Sequence, residues 1–304
     1  MDYVLIQVLN GVQLGLLMFL LAAGLTLTFG IMDLVNLAHG SLYMMGAYFA
    51  WTFISWTGSF VAGALLALPA TFALGIVLEV TVMRRLYNRD HLDQVLATFG
   101  LILFFNELVR VVWGPAGKSI AVPAFLGHTV QILPGVPYPA YRFALIVVGL
   151  LVALILALLV ARTRTGMLIR AGASNRRMIA ALGVNIELLF SLVFGLGAAF
   201  AGLAGLMAAP IASVKIGMGD DILILAFVII VIGGIGSIKG AFVAAMVVGQ
   251  IDIIGRAFLP DLLKTFLDPA SASAAAPAIS QVLIYVLMAA VLVWRPTGLF
   301  GQRT

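Results

Sequence analysis

The chain has 304 residues, 63% of them hydrophobic and 10% charged, whereas an ordinary soluble domain is about 45–50% apolar and about 25% charged. This composition excludes a soluble globular fold, and the absence of cysteine excludes disulfides, thiolate metal sites and a thiol nucleophile. The formal net charge of +5 would suit nucleic acid or anionic lipid, but the basic residues cluster in loops between apolar runs, which indicates membrane topology and no nucleic-acid partner.

Long apolar runs predict α-helices that span a lipid bilayer. Residues 143–161 hold no ionisable side chain and approach the roughly 20 residues that a helix needs to cross the hydrocarbon core. A membrane β-barrel would instead alternate apolar and polar residues over segments of about 10 residues. The candidate spans in chain order are residues 4–29, 37–56, 60–83, 95–113, 143–161, 188–209, 222–232, 241–254 and 279–293. We therefore expect a single all-α domain over residues 1–304, a polytopic bundle of about eight or nine membrane spans.

Basic residues predict which loops face the cytoplasm, because short cytoplasmic loops retain positive charge. Arginines concentrate in three places, namely Arg84, Arg85 and Arg89, then Arg162, Arg164, Arg170, Arg176 and Arg177, then Arg295 and Arg303. The alternate loops are poorer in charge, with Lys118 alone in residues 114–141 and Lys264 offset by two aspartates in residues 257–278. With nine crossings every arginine-rich loop falls on one side, so we expect an outward N-terminus and a cytoplasmic C-terminus.

Two outward loops are expected to be irregular. Residues 114–141 contain five prolines, which restrict the backbone and oppose regular helix, so we predict a compact docking surface there. Residues 269–277 consist of Ala, Ser and Pro, and this low complexity predicts a flexible linker.

The first polar interruption of the apolar sequence covers residues 33–40. Asp33, Asn36 and His39 are spaced by three, which in a helix would place them on one face. Polar groups are costly in a membrane and usually face a water-filled path or the interior of a bundle. We therefore predict a broken, pore-lining element, with Asn36, His39 and Gly40 on or beside the translocation path. The alternative is that Asn36 and His39 cap a helix end or hydrogen-bond a neighbouring helix.

A glycine-rich run, residues 233–240, separates the short candidate spans 222–232 and 241–254. It either brings unpaired backbone N–H groups to the path or forms a tight turn at a membrane face, and the spans beside it are either half-length or full. Corresponding interruptions in the two halves of a chain indicate an inverted repeat with the substrate route between the halves. On this hypothesis Gly234 and Ser237 also lie on or beside the path.

Small residues recur at every fourth position in one predicted span, at Gly197, Ala201 and Gly205. Such a row lets the backbone of another helix approach closely. We expect that helix to belong to the same chain, and a contact with a second subunit is the alternative.

The inner segment at residues 163–185 carries a pattern suited to a partner. Gly183 is a candidate left-handed stop for a short helix. Met178 and Leu182, four residues apart, form one apolar stripe on that helix beside Arg176. Such a helix either docks in a groove of a cytoplasmic partner or lies on anionic lipid headgroups.

Patterns of catalytic residues do not occur in the sequence. Residues 117–119 resemble the end of a phosphate-binding loop, but Val112 stands where the first glycine is required. Glu79, Glu107 and Glu187 lack partners nearby in the sequence that would suit an acid/base pair. We therefore expect no enzymatic activity, no metal site and no ATP site in this chain.

Residues 24–47 resemble the permease subunits of ABC importers of the branched-chain amino acid type, and the likeness runs over nearly the whole chain. The family pattern has Gly-Leu-x-Leu, then Asn-x-Ala-His-Gly, then Tyr-Met-x-Gly-Ala, and this chain carries all three. Residues 233–240 match the family's Gly-Gly-x-Gly-Ser-x-x-Gly run, and residues 170–185 match both ends of its inner loop. The resemblance implies that residues 163–185 contain the coupling helix seated on the ATPase. The coupling residues would then be Arg170, Arg176, Met178, Leu182 and Gly183.

The resemblance further implies a complex in the bacterial inner membrane. Its expected partners are a second, homologous permease, two ATP-binding subunits that hold the ATP and Mg, and a periplasmic substrate-binding protein. The cargo implied is branched-chain or other hydrophobic amino acids, although members of the family also carry urea and short amides. Acidic residues are common in the family where this chain has residues 174–177, so its docking chemistry is expected to differ. The competing function is a stand-alone secondary transporter or channel, which would need a coupling-ion site near Asp33 or His39.

Overall fold

The computed structural model describes residues 2–133, 135–174 and 176–301, and α-helices make up most of them. The helices are α1 (Asp2–Met32), α2 (His39–Thr57), α3 (Phe60–Leu78), α4 (Arg84–Leu86), α5 (His91–Trp113), α6 (Ala140–Arg162), α7 (Arg164–Ser174), α8 (Arg176–Ala181), α9 (Ile186–Ala208), α10 (Met218–Gly233), α11 (Ile238–Leu263) and α12 (Pro269–Trp294). A π-helical turn (Glu79–Met83) joins α3 to α4 without interruption. The fold is thus the all-α polytopic membrane bundle expected from the sequence.

Each of the nine predicted spans corresponds to a helix, but not all of these helices are long enough to cross a bilayer. Counting described residues only, seven stretches are long and apolar enough: Asp2–Met32, Phe60–Leu86, His91–Trp113, Ala140–Arg162, Ile186–Ala208, Ile238–Leu263 and Pro269–Trp294. The other two helices, α2 and α10, have 19 and 16 residues. At 1.5 Å per residue α10 measures about 24 Å, short of the roughly 30 Å of hydrocarbon, whereas α2, at about 28 Å, is long enough but not apolar enough. The number of crossings therefore depends on α2 and α10, and each of them adjoins a predicted helix break.

The chain divides into two compact units. Unit 1 comprises Met1–Phe19, Pro123–Leu151 and Phe227–Thr304, and unit 2 comprises Leu20–Val122 and Val152–Ala226. In unit 1, α11 packs along α12, and in unit 2, α2, α3 and α9 pack against one another. Two helices in unit 1 and three in unit 2 therefore supply most of the helix packing within each unit.

Small residues determine the packing inside unit 2. A Cβ added at Gly205 of α9 would collide with the backbone carbonyl oxygen of Tyr43 in α2. Gly197 of α9 lies beside Gly24 of α1, where an added Cβ would stand 3.1 Å from the Gly24 carbonyl oxygen. Ala201, between Gly197 and Gly205 in α9, is fully buried. The row of small residues in α9 therefore packs within the chain, as the sequence analysis expected.

The proline-rich loop of unit 1 contains a β-hairpin. Strands β1 (Thr129–Leu133) and β2 (Val136–Pro139) pair in antiparallel fashion. The hydroxyl of buried Tyr138 donates to Oδ1 of Asn10 in α1 at 3.1 Å, and Arg142 donates to the same oxygen at 2.8 Å. The prolines oppose helix, as predicted, but the segment is held against α1 by these hydrogen bonds.

The flexible linker predicted at residues 269–277 is wrong, because these residues form the first turns of α12. Asp268 caps the helix by accepting a hydrogen bond from the Ser271 backbone N–H at 3.0 Å, and this bond lowers the pKa of the Asp268 carboxyl. Pro269 at the first helical position loses no intrahelical bond there, and alanine is the strongest helix former. α11 also runs further than expected, so a short turn replaces most of the predicted loop at residues 257–278.

We expect Gly205→Ala to lower the stability of the detergent-solubilised protein by about 1–3 kcal/mol, because its Cβ would meet backbone and not a movable side chain. Gly100→Ala is the matched control, since among the described residues nothing lies within 4 Å of a Cβ added to this α5 glycine. The midpoint of thermal unfolding measures both effects. Equal midpoints for the two variants would contradict the close approach of α2 and α9.

Candidate functional site

The first predicted helix break is confirmed, because α1 ends at Met32 and α2 begins at His39. Asp33 has a φ of 50° and is the only non-glycine residue with positive φ among those the structure describes. The left-handed conformation reverses the chain direction and stops the helix. Since residues 33–38 are not helical, the prediction that Asp33, Asn36 and His39 share one helical face is wrong. Asp33 is exposed, whereas Asn36 and His39 are fully buried.

The segment after α1 turns back into the interior of unit 2. Nε2 of His39 donates to the carbonyl oxygen of Leu21 at 3.2 Å. Leu21 precedes Met32 by about three helical turns, or roughly 16 Å along the axis of α1. The first turn of α2 therefore lies beside the middle of a membrane helix. Non-helical backbone at membrane depth occurs where it is buried in protein or lines a water-filled cavity.

Polar side chains at this break are buried without hydrogen-bond partners among the described residues. The unpaired atoms are both amide atoms of Asn36, Nδ1 of His39 and Oγ of Ser41. Leaving such a group unpaired costs roughly 1–3 kcal/mol, and in native proteins it calls for water, a ligand or another conformational state. Ala38 occupies the N-cap position of α2 and provides no side-chain bond. The alternative of a bond to a neighbouring helix therefore applies to His39 Nε2 but not to Asn36.

Gly40 packs against the beginning of α10. A Cβ added to Gly40 or to Gly219 would collide with the backbone carbonyl of the other glycine. Two helix N-termini therefore meet inside unit 2, and each carries partial positive charge. Asp220 and Asp221 offset that charge in the first turn of α10, whereas the first turn of α2 contains no acidic residue.

Gln94 of α5 holds the non-helical segment from its other side. Its Oε1 accepts from the Val35 backbone N–H at 3.1 Å, and its Nε2 donates to the carbonyls of Leu86 and Arg89 at 3.2 and 3.1 Å. The side chain is only 2% exposed. The sequence analysis missed it because Gln94 stands in a polar stretch just before the predicted span 95–113 and belongs to no motif.

The second predicted break is also confirmed, with α10 ending at Gly233 and a φ of 98° at Gly234. The backbone N–H groups of Leu299 and Phe300 donate to the carbonyls of Ile232 and Gly233 at 2.8 and 3.0 Å. The C-terminal segment therefore covers the end of α10, and Gly234 is buried against it. The Ser237 backbone N–H donates to the Gly234 carbonyl at 3.0 Å, the hydrogen bond of a tight turn, and the following α11 is full-length at 26 residues.

Ser237 is the N-cap of α11, and its Oγ accepts from the Gly240 backbone N–H at 3.1 Å. Ser237 and Gly234 belong to unit 1, whereas Asn36, His39 and Gly40 belong to unit 2. The structure thus brings together the three residues of the first break and, separately, the two of the second. Their role on a translocation path stays a prediction.

The predicted coupling segment folds as α7 and α8 and ends where expected. Gly183 has a φ of 84°, and the Val184 backbone N–H donates to the Ile179 carbonyl at 3.3 Å, which closes the helix. Met178 and Leu182 are 64% and 77% exposed, whereas Ile179 between them is 5% exposed. The predicted apolar stripe is therefore an exposed surface of this chain.

The other side of this segment packs against α1 and α9, within unit 2. A Cβ added to buried Gly172 of α7 would stand 3.6 Å from side-chain carbons of Ile31 in α1 and Leu189 in α9. Arg170 is exposed on α7. The side chain of Arg176 lies outside the described part of the structure.

A buried ionic network beside the coupling segment was not predicted. Glu79 is fully buried, and its carboxylate accepts hydrogen bonds from Arg84 Nη2 at 3.1 Å, from the Tyr87 hydroxyl at 2.8 Å and from the Ser191 hydroxyl. Arg84 Nη1 also lies 2.8 Å from Glu187. Glu79 and Arg84 are five residues apart, which is out of register for an α-helix but is one turn of a π-helix. The sequence analysis considered α-helical spacing and so left both glutamates without partners.

The amino-acid sequence is similar to those of transport permeases. The family model described as branched-chain amino acid transport system / permease component matches residues 7–292. The high-affinity branched-chain amino acid transport system permease protein BraD of Pseudomonas aeruginosa is 29% identical, over 97% of this chain and 95% of its own. The corresponding protein LivH of Escherichia coli is 28% identical, over 99% of this chain and 96% of its own. No solved structure matches the chain significantly.

We expect Asn36→Leu to leave the free energy of unfolding unchanged or to raise it by about 1 kcal/mol, because it removes buried polar atoms that have no partner. Gln94→Leu is the contrasting variant, since it breaks four described hydrogen bonds and should lower stability by about 1–3 kcal/mol. Thermal unfolding in detergent measures both. A large loss for Asn36→Leu would mean that its amide is hydrogen-bonded in the folded protein.

Proposed function

Because the chain belongs to the family of branched-chain amino acid transport system permease components, we propose that it is the membrane-spanning subunit of an ATP-driven importer. The observation that carries this proposal is the extent of the match, which covers residues 7–292 and nearly all of two amino acid permeases. The cargo is branched-chain or other hydrophobic amino acids. The same match favours the importer over a stand-alone secondary transporter or channel.

The N-terminus faces the periplasm and the C-terminus the cytoplasm, and contacts within unit 2 support this orientation. Arg84 and Glu187 pair across two loops that are both predicted to be cytoplasmic. Lys118 and Val214 form a backbone bridge at 2.8 Å between two loops that are both predicted to face outward. Each contact joins loops of the same predicted face, and the positive-inside rule assigns the arginine-rich face to the cytoplasm.

Contacts within unit 1 support the same division. The ring of Tyr3, near the start of α1, packs on Phe258 in the last turns of α11 with 5.7 Å between centroids. At the opposite ends of the helices, Leu299 bonds Ile232 at the end of α10. The start of α1 therefore shares a face with the end of α11, and the C-terminal segment shares a face with the α10–α11 turn. Nine crossings of the inner membrane satisfy these pairings.

Substrate passes beside the first helix break, next to Asn36, His39 and Gly40. The unpaired donors of Asn36 and Ser41 and the uncompensated N-terminus of α2 suit the carboxylate of an amino acid. The backbone contact between Gly40 and Gly219 closes this position, so passage requires α2 and α10 to separate. Gly234 and Ser237 belong to the second break, in unit 1, and we propose them as path residues on the sequence argument for an inverted repeat alone.

The coupling segment receives the energy of ATP hydrolysis from two partner ATPase subunits, which bind the ATP and Mg. Support comes from the exposed stripe of Met178 and Leu182 and from exposed Arg170 on α7, in a helix pair whose Gly172 packs against α1 and α9. Arg176 and the stop at Gly183 complete the docking surface. A homologous second permease completes the membrane domain, and a periplasmic substrate-binding protein delivers the cargo to the outward loops.

We expect Leu182→Arg to reduce ATP-dependent uptake of labelled leucine by about tenfold or more, because a lost docking free energy of roughly 1.4 kcal/mol already corresponds to tenfold. The assay uses proteoliposomes that contain the permeases, their ATPases and the binding protein. Phe266→Arg is the matched control, since Phe266 is 82% exposed and Leu182 is 77% exposed, but Phe266 lies in an outward turn apart from the docking surface predicted at residues 114–141.

Co-purification of the ATPases separates the two interpretations of the stripe. Loss of the ATPases from Leu182→Arg supports docking, whereas retained ATPases with full uptake would mean that the stripe lies on lipid headgroups. Native uptake that proceeds without ATP would overturn the importer itself.

Single cysteines test the orientation, because the sequence contains none. We expect Leu182→Cys to react with a membrane-impermeant maleimide only in inside-out vesicles and Phe266→Cys only in intact spheroplasts. Both side chains are exposed in this chain, and the permease is expressed without its ATPases so that docking does not cover Leu182. The reverse pattern would contradict a cytoplasmic coupling segment.

A further inference from the structure

We propose that Arg84 is a positioning residue that transmits movement of the coupling segment to α3 and α1, with Glu187 as its contact on the side of the coupling segment. This inference rests on the proposed importer function. The network around Arg84 joins the coupling segment to the first helix break, and its geometry depends on a π-helical turn that an α-helix would not reproduce.

The first step is the attachment of Arg84 to α3. Its Nη2 and Nε lie 3.1 and 3.4 Å from the carboxylate of Glu79, a side chain with no exposed surface. In an α-helix each residue turns by about 100°, so residues five apart would be about 140° out of line. The π-helical turn at Glu79–Met83 brings them together. The π-turn therefore aligns the two charges, and the ion pair joins Arg84 to the buried side of α3.

The second step is the attachment of Arg84 to the coupling segment. Glu187 lies in the first turn of α9, two residues after Asn185, which is the N-cap of α9 and the last residue of the coupling segment. Arg84 Nη1 reaches its carboxylate at 2.8 Å, with side-chain exposures of 32% for Arg84 and 71% for Glu187. Any displacement of the coupling segment that shifts the first turn of α9 changes this distance.

The third step leads from Arg84 to the helix break. Tyr87, one turn further along, donates to the same Glu79 carboxylate, and its hydroxyl lies 3.8 Å from Sδ of Met32. Its ring packs edge-on against Phe190 of α9 with 5.2 Å between centroids. Met32 is the last residue of α1, immediately before the non-helical segment that contains Asn36. The network thus ends at the residue from which the path-lining segment departs.

The test uses Glu187→Gln, because this variant breaks the arm toward the coupling segment and leaves buried Glu79 paired with Arg84. Glu107→Gln is the matched control, since Glu107 pairs with Arg110 at 3.4 Å and is 61% exposed, on α5. The measurement is leucine taken up per ATP hydrolysed by the reconstituted native, Glu187→Gln, Glu187→Asp and Glu107→Gln complexes. Thermal unfolding of each permease accompanies it.

We expect Glu187→Gln to lower uptake per ATP by about two- to fivefold, the scale of a partly exposed ion pair, with unchanged thermal stability. Glu187→Asp should recover part of that ratio, and Glu107→Gln should keep the native value. A merely structural role would lower uptake and hydrolysis in proportion and leave the ratio unchanged.

The outcomes separate this inference from the function on which it rests. A native ratio in Glu187→Gln, alongside ATP-driven uptake by the native complex, overturns the role of Arg84 and leaves the importer standing. Absence of ATP-driven uptake in the native complex overturns the importer, and the role of Arg84 falls with it.

Discussion

Hydrocarbon offers a peptide group no hydrogen-bond partner, so every backbone N–H and C=O at membrane depth must be paired inside the protein or exposed to a water-filled path. Continuous helices such as α5 and α6 meet this requirement by themselves. The segment between α1 and α2 is not helical and cannot meet it in this way. It is largely buried in the protein, and its Val35 N–H donates to the side chain of Gln94. The amide of Asn36 is buried in this segment without a hydrogen-bond partner among the described residues. A core selected for stability alone would not contain such a group.

The same constraint explains why the ionic network has the form that it has. A carboxylate buried in a membrane bundle is tolerated only with a charged or hydrogen-bonding partner, and Glu79 has three. One of them, Arg84, is shared with Glu187 at the surface, so the buried charge is linked electrostatically to the first turn of α9. Because the buried Glu79 carboxylate needs its partners, a displacement of Arg84 would be transmitted to it directly.

The helices could be predicted from the sequence because each apolar run is itself a physical requirement for spanning lipid. Both helix breaks and the stop at Gly183 were predictable for a similar reason, since glycine and polar residues in apolar surroundings act locally. The path of the chain through the first break could not be predicted. The prediction of a shared face assumed helical spacing, but the left-handed turn at Asp33 ends the helix before Asn36 and His39. The Glu79–Arg84 pair was missed because it follows π-helical spacing. The flexible linker at residues 269–277 was predicted wrongly because only the low complexity of the segment was considered. The Asp268 cap and the high helix propensity of alanine favour a helix there.

The closure of the α10–α11 turn has a consequence for how the protein is made. The carbonyls of Ile232 and Gly233 receive their hydrogen bonds from Leu299 and Phe300, which the ribosome adds on the order of several seconds later at about 5–20 residues per second. Until then that end of α10 lacks these hydrogen-bond partners. The junction between α10 and α11 is therefore completed only after the residues that cover it have been synthesised.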